Sequence, residues 1–299
     1  MLSIRNLSKT YPNGTQALKD VTLDIPRGMF GLLGPNGAGK STLMRTLATL
    51  QDADQGAASL QTNGSAIDVL KDHDAVRRTL GYLPQDFGVY PKVSALDMLD
   101  HFARLKGFAA SGERKALVES LLKQVNLWDV RKKALGGFSG GMRQRFGIAQ
   151  ALIGNPQLVI VDEPTAGLDP EERVRFHNLL AEIGENVVVI LSTHIVQDVS
   201  DLCGHMAVIN KGQVLLHGSP QELLALIKGK VWRKTIARSE VDAAKQQYPV
   251  ISTRLVAGQT VIHVYAAERP DAAFEPDDAS LEDVYFAAIY GHLKNGTAQ

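Results

Sequence analysis

Residues 34–42 read Gly34-Pro35-Asn36-Gly37-Ala38-Gly39-Lys40-Ser41-Thr42, and they match G-x-x-x-x-G-K-[ST], the pattern of a phosphate-cradling loop. Glycines carry no Cβ, so successive backbone N–H groups can curl towards phosphate oxygens. Lys40 can then reach the β- and γ-phosphates, and the Ser41 hydroxyl is placed to ligate Mg²⁺. The flanking residues agree with this reading. Met29-Phe30-Gly31-Leu32-Leu33 is a short apolar run before the loop, and Ser41 to Leu50 reads as a helix whose N-terminus points at the anion. Strand, loop and helix in that order predict a nucleoside triphosphate site.

The 299 residues suffice for about two domains. Lys plus Arg (32) balance Asp plus Glu (32), so composition offers no long-range attraction for nucleic acid or anionic lipid. No nucleic-acid partner is expected. A single cysteine, Cys203, cannot form an internal disulfide, which fits a reducing cytosol. Met1-Leu2-Ser3-Ile4-Arg5-Asn6 lacks the basic start and apolar core of a signal peptide. No stretch of about 18 uncharged apolar residues occurs, so no transmembrane helix is expected. Any action at a membrane would need a partner that supplies the spanning helices.

The first stretch alternates Leu2, Ile4, Leu7 and then Val21, Leu23, Ile25, with Pro12-Asn13-Gly14 between, which predicts antiparallel strands around a turn. Leu158-Val159-Ile160-Val161 and Val187-Val188-Val189-Ile190-Leu191 are β-branched runs without alternation, as in strands covered on both faces of a parallel sheet. A helix is expected over 171–183. From Ser94 to about Val130, apolar residues recur every three or four positions (Leu96, Leu99, Phe102, Leu105, then Leu117, Leu121, Leu122, Val125), which predicts a helical insert. Met206 to Asn210 and Gln213 to Leu216, around Lys211-Gly212, read as a hairpin. After Gly218-Ser219-Pro220 the expectation is a separate, smaller unit. It comprises a helix over 221–228, strands near Val231-Trp232, over 253–256 and over 261–265, a loop over 270–279 and a closing helix over 281–293.

Asp162 ends one apolar run, where this architecture places its Mg²⁺ partner, and Glu163 beside it is a carboxylate able to deprotonate an attacking water. Ser139-Gly140-Gly141, between Phe138 and Met142, opens a helix-like run over 143–153 and offers a second anion site. His194 follows Leu191-Ser192-Thr193 at a strand end, where it can meet the γ-phosphate.

Taken together, these residues closely resemble the ATP-binding cassette (ABC) ATPase family over residues 2 to about 218. Gly34 to Thr42 resembles its Walker A loop, and Leu158 to Glu163 its Walker B strand with catalytic glutamate. Gln85 in Gly81-Tyr82-Leu83-Pro84-Gln85 resembles the Q-loop glutamine. Ser139-Gly140-Gly141 resembles the signature, Gly167-Leu168-Asp169 the D-loop, His194 the switch histidine, and Tyr11 the aromatic that stacks on adenine. The family's common signature is Leu-Ser-Gly-Gly-Gln, whereas Phe138 and Met142 flank the Ser-Gly-Gly here. Ser-Gly-Gly-Met followed by Arg143 and Arg145 resembles the ABC-2-type exporter subgroup, as does the short Leu281-Glu282-Asp283-Val284-Tyr285 near the end.

The resemblance implies an α/β fold. It consists of a P-loop NTPase (RecA-like) core with an N-terminal antiparallel β-subdomain and an α-helical subdomain (about 86–150), together spanning residues 1–218. A small α+β C-terminal accessory domain follows over 219–299. It also implies an ATPase whose ligands are ATP and Mg²⁺. Tyr11 would stack the adenine, while Gly34, Pro35, Asn36, Gly37, Ala38, Gly39, Lys40, Ser41 and Thr42 hold phosphates. Ser41, Gln85 and Asp162 would complete the metal shell. Glu163 would be general base, His194 would touch the γ-phosphate, and Asp169 would relay between subunits. The implied partners are a second copy, head to tail, with Ser139, Gly140 and Gly141 contacting the opposite ATP, and an ABC-2-type membrane permease. The segment Asp86-Phe87-Gly88-Val89-Tyr90-Pro91, with its two exposed-looking aromatics, is the expected permease contact, which would place the chain at the cytoplasmic face of a membrane. A non-transport ABC ATPase acting on ribosome or nucleic acid, or a regulatory ATP-binding module, stands as the alternative. The cargo and the permease are not legible in the sequence.

Overall fold

A computed structural model describes residues 1–62, 64–85, 87–165, 168–185 and 187–293. The expected Gly167 of the D-loop and Asp86 lie outside the described residues. The chain opens with β1 (Leu2–Thr10) and β2 (Gln16–Ile25), paired antiparallel with Leu2 opposite Ile25 and Ile4 opposite Leu23. Inward alternation of Leu2, Ile4, Val21, Leu23 and Ile25, each at most 2% exposed, fixes that register. Then come β3 (Gly28–Leu33), α1 (Lys40–Leu47), β4 (Gln55–Gln61), β5 (Ala66–Asp68), α2 (His73–Thr79) and β6 (Leu80–Leu83). The sequence reading does not resolve β4, β5, α2 or β6. β4 pairs with β1 and gives a sheet of order β2-β1-β4-β5.

The helical insert forms α3 (Ala95–Leu105), capped by Ser94, and α4 (Ser111–Gln124). Their apolar stripes meet under Met98, Leu99, Leu121 and Leu122. Arg114 ties the pair: its Nε donates to Asp100 Oδ1 at 2.6 Å, and its Nη1 reaches the carbonyls of Phe108 and Ala109.

The central elements are α5 (Gly140–Ala151), β7 (Leu158–Asp162), α6 (Pro170–Gly184), β8 (Val188–Thr193), α7 (Val196–Leu202), β9 (His205–Asn210) and β10 (Gln213–Gly218). Six strands lie in the order β10-β9-β3-β8-β7-β6. β9, β3, β8, β7 and β6 are parallel, and β10 returns antiparallel on β9. Every residue of β7 and β8 is buried, which is why both runs lack alternation. All five parallel strands therefore end on one edge, where Leu33, Leu83, Asp162 and Thr193 deliver their loops side by side. Among the described residues no helix is long and apolar enough to cross a membrane. Cys203 is buried, and burial pushes its thiol up to about 12, so it is unreactive at neutral pH.

The tail contains α8 (Pro220–Ile227), β11 (Val231–Ile236), α9 (Val241–Gln247), β12 (Val250–Val256), β13 (Gln259–Tyr265), β14 (Glu275–Pro276) and α10 (Leu281–Ile289). The sequence reading missed α9. The segment read as a loop contains the two-residue strand β14 opposite Trp232 and Arg233, and the closing helix stops at Ile289. The sheet β12-β13-β11-β14 covers a small cluster of Ala244, Ile262, Val264 and Phe274. Leu223, Ile227, Leu281, Val284 and Ala288, by contrast, join the same apolar cluster as Val199, Met206 and Val208 of the central sheet.

Candidate active site

The loop between β3 and α1 keeps its shape because two glycines adopt backbone angles that other residues rarely take. Gly37 has φ 78° and Gly39 φ 108°. At Gly39 there is also no room, since a Cβ would lie 2.5 Å from the Ala17 carbonyl oxygen. A turn from elsewhere braces the loop: Gly212 N–H donates to Ala38 O and Lys19 N–H to Gly212 O, both at 2.8 Å. The resulting cavity of about 630 Å³ is lined by Tyr11, Thr15 to Ala17, Lys19, residues 35–42, Gln85, Glu163, Lys211 and Gly212. The sequence reading took Lys211-Gly212 only as a hairpin turn. Its place at the site follows from β9 lying beside β3, which no local spacing encodes.

Within the cavity Lys40 is only 5% exposed. Its Nζ donates to Gly34 O at 2.6 Å and lies 3.3 Å from Pro35 O and 3.8 Å from Glu163 Oε1. Burial holds its pKa below the ordinary lysine value, against the opposing pull of Glu163 and Asp162. Glu163 is the hub. Gln85 Nε2 donates to its Oε2 at 3.3 Å, and His194 Nδ1 is 3.2 Å from its Oε1. Residues from three separate segments thus converge on one carboxylate. Glu163 itself has φ 45°, a left-handed conformation costly for a residue with a Cβ. Its N–H, bonded to Ser192 O at 2.9 Å, helps to hold it there.

Asp162, at the tip of β7, is buried. That burial pushes its carboxyl above the usual range, and neighbouring Glu163 adds to the effect, while the Ser192 hydroxyl, Lys40 and the Ser41 hydroxyl act against it. Its Oδ1 is buried with no hydrogen-bond partner. An orphaned carboxylate oxygen beside a serine hydroxyl is an all-oxygen donor set of the kind that a hard divalent cation takes. The residues present therefore fit Mg²⁺. Tyr11 is half-buried, with its hydroxyl 3.1 Å from Thr42 Oγ1 and 3.2 Å from Gln51 Oε1. Gln51, absent from the sequence reading, links Tyr11 to α1 through the Thr42 carbonyl and Thr46.

Ser139, Gly140, Gly141 and Asp169 are not brought to this cavity. Ser139 Oγ caps α5 by accepting from Met142 N–H at 3.2 Å, and Asp169 caps α6 by accepting from Glu172 N–H at 2.8 Å. Gly141 is buried against Glu172, whose Oε2 would lie 2.4 Å from an added Cβ. The expectation of two exposed aromatics after Gln85 needs correction. Phe87 is half-buried, its ring edge 2.8 Å from where a Cβ on Gly147 of α5 would stand, so a glycine in that helix makes room for it. Tyr90 alone is exposed, at 66%.

The ABC transporter family profile matches residues 18–166. Over 306 residues the chain is 30% identical to the uncharacterized ABC transporter ATP-binding protein YxlF of Bacillus subtilis, covering 97% of this chain and all of that one. It is 35% identical to the daunorubicin/doxorubicin resistance ATP-binding protein DrrA of Streptomyces peucetius, over 80% of this chain and 72% of that one. Other relatives are longer, and the chain spans 26% to 48% of three of them. Among solved structures, the dimeric ATP-binding cassette MJ0796 bound to ADP and Pi superposes with a TM-score of 0.65 at 27% identity, over 73% of this chain and 98% of that one. A P-loop core, the cluster around Glu163 and these similarities agree, and the chain belongs to the ABC transporter family as one of its ATP-binding, ATP-hydrolysing proteins.

Proposed function

We propose that the chain is the energy-supplying subunit of an ABC-2-type exporter. Two copies close head to tail over two Mg-ATP, and hydrolysis reopens them to drive a separately encoded membrane permease. One observation carries this reading: Lys40, Gln85 and His194 gather around Glu163, whereas Ser139-Gly140-Gly141, the second anion-binding helix start, lies outside that cavity. A phosphate site completed by a second copy accounts for both facts. The dimeric neighbour MJ0796 supports it. The exporter assignment is supported by Ser-Gly-Gly-Met at Ser139 to Met142, by Leu281 to Tyr285 and by similarity to DrrA.

In this mechanism Lys40 turns from the Gly34 and Pro35 carbonyls to the β- and γ-phosphates. Tyr11 borders the base. Glu163 takes a proton from the attacking water as its oxygen bonds to the γ-phosphorus and the bond to ADP breaks. His194 steadies the γ-phosphate and Gln85 orients the water. Ser41, Asp162 and Gln85 would hold Mg²⁺, whose charge would offset the charge developing on the phosphates. Asp169, at the start of α6, faces the partner copy. Tyr90, with Pro91, meets the permease, and the assembly sits at the cytoplasmic face of the membrane. Residues 219–299 act as an accessory unit, since α10 packs against α7, the helix immediately after His194.

The test is Glu163→Gln. With saturating Mg-ATP it should accumulate as a dimer by light scattering, and the added substitution Ser139→Arg should return it to a monomer. A Glu163→Gln variant that stays monomeric at saturation, or that hydrolyses ATP normally, overturns the proposal. Co-purification with a polytopic membrane protein tests the transport role, and ribosomal RNA or DNA in its place would overturn that role.

A further inference from the structure

Among the described residues, the least exposed carboxylate belongs to a residue outside the motifs. Asp198 of α7 has 0% exposure. A carboxylate removed from water is costly unless its lone pairs are filled, and here donors come from three directions. Oδ2 accepts from Thr165 Oγ1 at 2.7 Å and from Thr193 Oγ1 at 3.4 Å. Oδ1 accepts from Arg173 Nε at 2.8 Å and lies 3.0 Å from His177 Nε2, both on α6. Thr165, Thr193 and His177 are themselves buried.

The two threonines give this network its meaning. Thr165 lies two residues beyond Glu163, and its carbonyl accepts from Leu168 N–H at 3.2 Å, on the way to Asp169. Thr193 immediately precedes His194, and its Oγ1 also accepts from Ile195 N–H at 2.9 Å, so that one hydroxyl spans His194. A single carboxylate oxygen therefore fastens both the loop leaving β7 and the loop leaving β8. Between them Glu163 is held in its left-handed conformation, with Oε1 3.2 Å from His194 Nδ1. An apolar residue at 198 would fill the space but would leave these loops free to move relative to each other. Hydrolysis depends on fixed placement of the groups that face the reacting atoms.

We infer that Asp198 is a positioning residue for ATP hydrolysis, acting through Thr165 and Thr193 to fix the backbone of Glu163 and His194. This rests on the proposed roles of those two residues. It places a determinant of turnover on a helix that lends no residue to the lining of the phosphate-loop cavity.

The experiment compares Thr165→Val, Thr193→Val and Asp198→Asn with Thr165→Ser and Thr193→Ser, each checked for a folded thermal transition. The valine variants should lose about ten-fold or more in kcat. Their KM for ATP should stay within roughly two-fold, because the phosphate loop is untouched. The serine variants, which keep the hydroxyl, should recover turnover. Thr165→Val with Thr193→Val should lose less than the product of the single losses, since both act on one oxygen. Folded valine variants with wild-type kcat, or serine variants no better than valine, overturn the inference. If Asp198→Asn does not fold, the threonine series decides. Glu163→Gln separates the two levels. Normal hydrolysis in that variant removes the reading on which the inference rests, while an inactive Glu163→Gln beside fully active valine variants removes the role of Asp198 alone.

Discussion

Glu163 and His194 leave neighbouring strands of the central sheet, and their side chains meet at 3.2 Å between Oε1 and Nδ1. Half of the His194 side chain is exposed, while Glu163 is 11% exposed. The imidazole therefore covers the open side of a carboxylate otherwise enclosed by Lys40 and Gln85. His194→Ala should uncover that carboxylate and lower kcat by about 10²-fold, the range for a positioned group of this type. ATP affinity should change little, because Lys40 and the loop before it are untouched. Phosphate release and fluorescent-nucleotide binding check the two halves. An equal loss in both would show that His194 acts in binding.

The buried, unpartnered oxygen of Asp162 predicts a trade between stability and function. Burial raises the native pKa above the unfolded value, so the native state holds the proton more tightly. Stability from this group is then complete below the unfolded pKa, about 3.9. It is lost as pH rises towards and through the native pKa, which leaves the group a standing cost at neutral pH. Asp162→Asn should therefore melt higher than wild type at pH 7.5 in the absence of nucleotide, and the gain should vanish near pH 3.5. The same variant should lose Mg²⁺-dependent hydrolysis. Thermal melts across pH, with turnover measured alongside, read both effects.

How much of this was legible in the sequence follows from the range of the forces involved. The loop at residues 34–42, the runs of β7 and β8, and the carboxylates at 162 and 163 announce themselves because their chemistry is local and their spacing short. The strands β3, β7 and β8 read correctly because burial on both faces forces continuous apolar residues. β4 and β5 did not, since Gln55-Gly56-Ala57-Ala58-Ser59 is a weak strand that forms only against β1. The Lys211-Gly212 brace, Gln51 beside Tyr11, and the Asp198 network all depend on which strands become neighbours. Phe87 was misjudged for the same reason: its cover is a missing side chain, Gly147, on a helix far away in sequence.

Gly39 shows how little freedom the phosphate loop has. Alanine there faces both a disfavoured φ of 108° and a Cβ 2.5 Å from a backbone oxygen that cannot swing away. Gly39→Ala should cost about 2–4 kcal/mol. At roughly 2–4 °C per kcal/mol for a large domain, the melting midpoint should fall by about 5–15 °C. Gly141→Ala provides the contrast. Its Cβ would meet Oε2, Cδ and Cγ of the Glu172 side chain at 2.4–2.9 Å, and a side chain can turn aside where a backbone oxygen cannot. A loss below about 1 kcal/mol is expected there, and calorimetry of the two variants ranks them.

Phe87 and Tyr90 separate packing from partner recognition within one short segment. Phe87 fills the notch left by Gly147, a notch that Leu83 also borders at the end of β6, two residues before Gln85. Phe87→Ala should cost about 1–3 kcal/mol, less than a fully buried phenylalanine would, and should slow hydrolysis by loosening Gln85. Tyr90 is 66% exposed, so Tyr90→Ala should stay within about 0.5 kcal/mol of wild type and leave the isolated ATPase unchanged. If the surface next to Pro91 receives a permease, that silent variant should abolish permease-dependent stimulation of ATPase activity in reconstituted vesicles. Full stimulation of Tyr90→Ala would move the coupling surface elsewhere on the chain, because Phe87, turned inward, cannot supply it.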